Sequence, residues 1–203
     1  MAAYDGAAMG CRVTFHHRIA AERLTTAAAP QTGEQFHALL ESALGETARA
    51  ALGEHDVEIE LTLCGDAEMT HLNFDHMGER GPTDVLAFPL HEWTVDEGHS
   101  HLADEDAIGP PGDLLLGDVV IDVDQAVRQA DEGGWGAAQE IALLAVHGAL
   151  HLLGHDHDEP DDEEAMRAIE RRVLEVLHRR HMDVGWRPGS LFDRSAHAVP
   201  AGS

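Results

Sequence analysis

Three histidines in the stretch Val146-His147-Gly148-Ala149-Leu150-His151-Leu152-Leu153-Gly154-His155-Asp156-His157 have the spacing of a metal site. At about 100° per residue, His147 and His151 lie roughly 40° apart on one helix face, a single turn from each other. Imidazoles so placed can aim their nitrogens at one ion. Gly154 suits the left-handed conformation that ends a helix, and His157 follows just after that turn, where it closes the triangle. Three neutral nitrogen ligands suit zinc and leave a fourth position for water, which marks a catalytic rather than a structural site. Water bound there ionises near pH 7 and supplies hydroxide. The competing reading is a chance array of core histidines, since the chain carries 16 of them. Zinc proteases share the HxxxHxxGxxH spacing but place a glutamate general base after the first histidine. Gly148 holds that place here and cannot take a proton, so proteolysis by that route is disfavoured.

These ligands need a rigid helix, and the apolar run over 135–153 predicts a long one. Pro160 opens a second predicted helix over 160–180, with acids in its first turn and His178, Arg179 and Arg180 in its last, matching the helix dipole. Phe36, Leu39, Leu40, Leu44, Ala48 and Ala51 recur at helical spacing and predict an amphipathic helix over 34–52. Strands are expected over 11–19, over the alternating stretch 57–63, over 85–88, and over 114–123, where a buried strand enters a helix. Residues 27–33 read as turn-prone, and Asp66 as the cap of a short helix through Leu72. The acidic segment 90–113 reads as a functional flap or a solvated insertion. Strands alternating with helices give an α/β or α+β domain.

Composition narrows the function classes. A chain of 203 residues that is 43% hydrophobic fits one domain with a real core. Its 38 acidic residues against 13 arginines, with no lysine, give a net charge of −25. That balance argues against a basic nucleic-acid module and against a surface for anionic lipid. Acidity without lysine fits either work at high salt or a GC-rich genome. Cys11 and Cys64 stand alone in apolar stretches, so a disulfide scaffold or cysteine zinc site is not expected and a reducing compartment is. No apolar run reaches the roughly 18–20 residues of a membrane span, and the first residues do not read as a secretion signal.

The sequence resembles the YbeY family of bacterial metal-dependent endoribonucleases. The family hallmark HGxLHLxGxDH is matched at every fixed position from His147 to His157. Further matches are Leu72-Asn73, Pro82-Thr83-Asp84-Val85-Leu86-Ala87-Phe88-Pro89, Leu116-Gly117-Asp118-Val119-Val120-Ile121 and Met166, so the likeness runs over roughly 57–177. It implies a cytoplasmic, single-strand-specific endoribonuclease of ribosomal RNA, acting in 16S rRNA 3′-end maturation and ribosome quality control. The implied cofactor is one zinc ion per chain, held by His147, His151 and His157. The implied partners are single-stranded rRNA and the ribosome or its proteins, with no DNA and no membrane. The implied fold is a single α/β (α+β) domain over 10–182, a small mixed sheet packed by about five helices, with flexible tails over 1–9 and 183–203.

One departure stands out. Where many family members carry an aromatic–arginine pair, this chain has His76 and Met77. Arg80, the only arginine or lysine between Arg49 and Arg128, is the candidate replacement as a contact to substrate phosphate; the alternative is a surface salt bridge. Thr83 and Asp84 read as braces of the loop beside the cleft or as a purely structural turn. Asp118 reads as scaffold or as a wall of the site, and Asp156 as an orienting partner for an imidazole or as a turn residue. Trp93 and Trp135 are too isolated to form a stacking platform. Two other functions fit the same histidines: a zinc hydrolase of another substrate class, or a ribosome-associated protein with a structural metal. The latter needs a fourth protein ligand, for which His155 is the nearby candidate.

Overall fold

The computed structural model describes residues 10–53, 55–103 and 114–181; the expected tails, 1–9 and 183–203, lie outside them. In chain order the elements are β1 (Cys11–His17), α1 (Ala21–Ala28), α2 (Gly33–Leu52), β2 (Val57–Cys64), α3 (Asp66–Met77), β3 (Val85–Pro89), β4 (Trp93–Asp96), β5 (His99–Leu102), β6 (Leu114–Asp122), α4 (Val123–Gly133), α5 (Ala137–Leu152) and α6 (Pro160–Arg180). The main sheet has the order β1-β2-β6-β3, with β3 alone antiparallel. This is a mixed α/β domain.

Alternation along the strands decides what each face packs against. Ile59, Leu61 and Leu63 of β2, with Val119 and Ile121 of β6, join the principal core beneath α2 and α5. Cys64, Leu86 and Val120 point the other way and meet Met69 and Leu72 of α3 in a smaller cluster. Helix α5 is buried nearly all round from Ala138 to Leu152 because it lies against β3 and β6 and also touches α2, α4 and α6. It is the platform that carries two of the histidines.

Three local expectations change. A short helix, α1, takes in Ala27 and Ala28, the first two of the turn-prone residues; Thr25 and Thr26 donate back to the carbonyls of Ala21 and Glu22, and β-branched residues of this kind weaken the helical signal. Helix α3 starts after Gly65 and runs to Met77, so Asp66 is its first residue rather than its cap. The described part of 90–113 contains a hairpin, β4–β5, turned by Glu97 and Gly98 with φ of 47° and 78°. Positive φ at both turn residues is the type I′ pattern, which Glu-Gly signals far more weakly than Asn-Gly. The sheet and helices otherwise follow the pattern read from the sequence, with six helices among the described residues where about five were expected.

Candidate metal centre

Helix α5 brings His147 and His151 to one face near its end, where their Nε2 atoms are 3.1 Å apart. The chain then reverses at Gly154, whose φ is +82° and whose absent side chain leaves room for Trp93 of β4. His157 arrives from this turn, with its ring centroid 5.5 Å from that of His147 and 5.1 Å from that of His151. One nitrogen from each of the three falls within 4.8 Å of the others. The structure thus joins all three predicted ligands, and its donor set of three imidazoles fits a zinc-class ion.

The histidines are prepared for that role in different ways. His147 donates from Nδ1 to Oε1 of Glu170 on α6, 2.8 Å away, which leaves Nε2 with its lone pair for an ion. Side-chain exposures of 28% for His147 and 16% for Glu170 keep this bond out of bulk water. Burial, with the neighbouring His147 and His157, pushes His151 down to about 4, so it is neutral and unprotonated at physiological pH. Sequence reasoning missed Glu170; the one signal was an acid in the helix that follows the histidines.

The expected partners divide clearly. Asp156 does not orient an imidazole: its Oδ1 accepts the backbone N–H of His157 at 2.7 Å and so shapes the turn. His155 is 4% exposed, and its Nε2 meets Ser100 Oγ of β5 at 3.2 Å, so it is turned away from a role as fourth ligand. The β4–β5 hairpin therefore grips the ligand-bearing turn through Trp93 and Ser100. Trp135 donates to Glu140 at 2.6 Å, so both tryptophans are engaged in the scaffold. Asp118 sits beside Glu60 on the polar face of the sheet, and burial with that neighbour raises its carboxyl.

The histidines open on a cleft of about 420 Å³ whose walls include Met77, Thr83, Asp84, Ala87 and Pro89. Gly148 lies flush with the sheet at its floor; a Cβ there would come within 2.7 Å of Val119 and 3.1 Å of Val85. A glutamate at this position has no room, which adds a steric reason to the missing protease base. Asp84 braces the wall: Oδ1 accepts from the N–H of Val85 at 2.9 Å and Oδ2 from Gln129 Nε2 at 2.9 Å. Asn73 donates to the carbonyl of Gly81 at 3.0 Å and ties the α3–β3 loop to α3. Arg80 is exposed on that loop, makes no ion pair with a described residue, and is not among the residues lining the cleft, whereas Met77 is.

Comparison with known proteins identifies the family of the chain. Endoribonuclease YbeY of Moorella thermoacetica is 44% identical over 142 residues, covering 70% of this chain and 86% of the relative. That of Heliobacterium modesticaldum is 37% identical over 158 residues, covering 75% and 90%. A solution structure of a Thermotoga maritima protein overlays 95% of this chain and 99% of that one, at 20% identity and a TM-score of 0.47. The family model described as Endoribonuclease YbeY matches residues 23–178, most of the described structure, and the chain belongs to that family.

Proposed function

We propose that the protein is a single-strand-specific, zinc-dependent endoribonuclease that acts on ribosomal RNA in the cytoplasm, in 16S rRNA 3′-end maturation and ribosome quality control. The observation that carries this reading is the His147–His151–His157 triangle, supported by Glu170, opening on a cleft in a chain of this family. Zinc bound there would supply a Lewis acid for phosphate oxygen and a water that ionises near neutral pH. Glu170 fixes the tautomer and ring direction of His147. Asp84 and Asn73 hold the wall and loop against which the RNA strand lies. Arg80 reaches from that loop to a phosphate of the substrate and offsets charge developing during scission. His155 is occupied by Ser100, which argues against a closed, structural metal site.

Metal content and RNA cleavage measured together test the reading. Protein purified without a tag should hold about one zinc per chain and cut a single-stranded rRNA fragment, while His151→Ala should lose both. Cleavage undiminished in His151→Ala, or no metal-dependent cleavage by the wild type, would overturn it.

A further inference from the structure

We infer, on the basis of the endoribonuclease reading, that the cleft holds its RNA chiefly by the faces of unstacked bases, on an apolar rim formed by Phe74, Met77 and Leu90, rather than by a row of phosphate contacts. The large hydrophobic residues most exposed among those described are Phe74 at 56%, Leu90 at 57%, Met77 at 52% and Val95 at 40%. Met77 lines the metal cleft, and Phe74 and Leu90 adjoin residues that line it. Phe74 and Met77 are three residues apart on α3, hence neighbours on its surface, and Met77 lines the cleft itself. Leu90 follows Pro89, another lining residue, and the ring of His76 lies 4.8 Å from that of Phe88 at the same edge. Exposed apolar surface concentrated at one place marks a contact site.

Charge points the same way. No described arginine lines the cleft. Most of the described arginines are already bound to carboxylates: Arg12 to Glu58, Arg18 to Glu68, Arg23 to Asp124, Arg128 to Asp66, Arg167 to Glu163, and both Arg49 and Arg180 to Glu46. Arg80 is the one cation on the adjoining loop. At a net charge of −25 the molecule repels RNA at long range, so the phosphate contacts that ordinarily dominate affinity are scarce here. Base faces carry no charge, and stacking or apolar contact with them tolerates any sequence. This fits a cleft whose substrate is single-stranded, because paired bases hide those faces.

The test uses a short single-stranded RNA and the same RNA with abasic positions beside the scissile bond. Wild-type protein should show a KM about tenfold higher for the abasic RNA, and Phe74→Ala/Met77→Ala should show a similar rise on intact RNA, with bound metal and thermal midpoint unchanged. The two losses should not add, because each removes one side of the same contact. For the wild type, log(kcat/KM) against log salt should have a slope no steeper than about −1, since one phosphate contact to a single strand gives about −0.7. A steeper slope, an unchanged KM in the double variant, or fully additive losses would overturn the inference. Absence of metal-dependent cleavage by the wild type would instead overturn the endoribonuclease reading.

Discussion

Apart from an exposed trio, Asp156, His157 and Asp158, that shares His157, two clusters among the described residues bring three potential metal ligands within 4.8 Å of one another: His147, His151 and His157 at the end of α5, and Asp66, Asp122 and Asp124 at the starts of α3 and α4. They differ in what already satisfies them. In the acidic group, Asp66 takes two bonds from Arg128, at 2.6 and 2.9 Å, and Asp124 pairs with Arg23 and accepts the N–H of Asp66. Asp122 caps α4 through Oδ1, leaving its buried Oδ2 as the one oxygen without a partner. Burial and the adjoining Asp66 push the Asp122 carboxyl up to about 7, so near neutral pH it is protonated much of the time. The histidines have no arginine among them, and the external support of His147 directs a lone pair inward. Proximity of ligand atoms is common to both; ring nitrogens converging beside a cleft belong to one.

The contrast breaks most sharply at the ligands. His151→Ala should abolish stoichiometric metal, while Asp66→Asn should leave metal content unchanged; elemental analysis reading the reverse would exchange the two assignments. Next in size is the free cation against the bound ones. Arg80→Ala should slow RNA cleavage about 100- to 1,000-fold with metal retained, the usual effect of removing one charge-assisted transition-state contact. Arg128→Ala, which unbinds Asp66 and Gln125 away from the cleft, should leave the cleavage rate near wild type. Normal cleavage by Arg80→Ala would make Arg80 a surface residue.

A smaller effect sharpens the role of Glu170. Glu170→Gln keeps the shape but weakens the acceptor for His147, and metal affinity should fall about 10- to 100-fold in a chelator competition. Unchanged affinity would mean that the ring is held by packing alone.

The acidic group offers a pH signature. Asp122 holds its proton more tightly when folded than at the ordinary carboxylate value of 3.8, so its contribution to stability is full below that value and is lost as pH rises through about 7. Asp122→Asn retains the cap and supplies a permanent donor toward Asp66. It should flatten this part of the stability curve and be more stable than wild type at pH 8, by about 1–3 kcal/mol, in denaturant titrations. A parallel pH profile in the two proteins would remove the shared proton.

Much of this was legible along the chain. The His147–His151 pair follows from the helical repeat, and Gly154 from the backbone conformation that a reversal demands; both depend on neighbours within a turn or two, so local sequence determines them. The same holds for α2, where Thr32 and Gln35 exchange capping bonds of 3.3 and 2.9 Å, and for the alternating strand β2. The hairpin was hidden because Glu-Gly is a weak turn signal and half its residues are polar. Glu170 lies 23 residues from His147, and only the docking of α6 on α5 brings them together. Asp66 and Asp122 meet because β2 and β6 are parallel neighbours that end at the same level, a register no local pattern encodes. The need for glycine at position 148 comes from how closely α5 lies on β6, and the exposure of Phe74 and Met77 from where α3 ends beside the cleft. Ligand identity and spacing were set by short-range geometry; which of those ligands are supported, which carboxylates are already claimed, and what borders the cleft were decided by long-range packing.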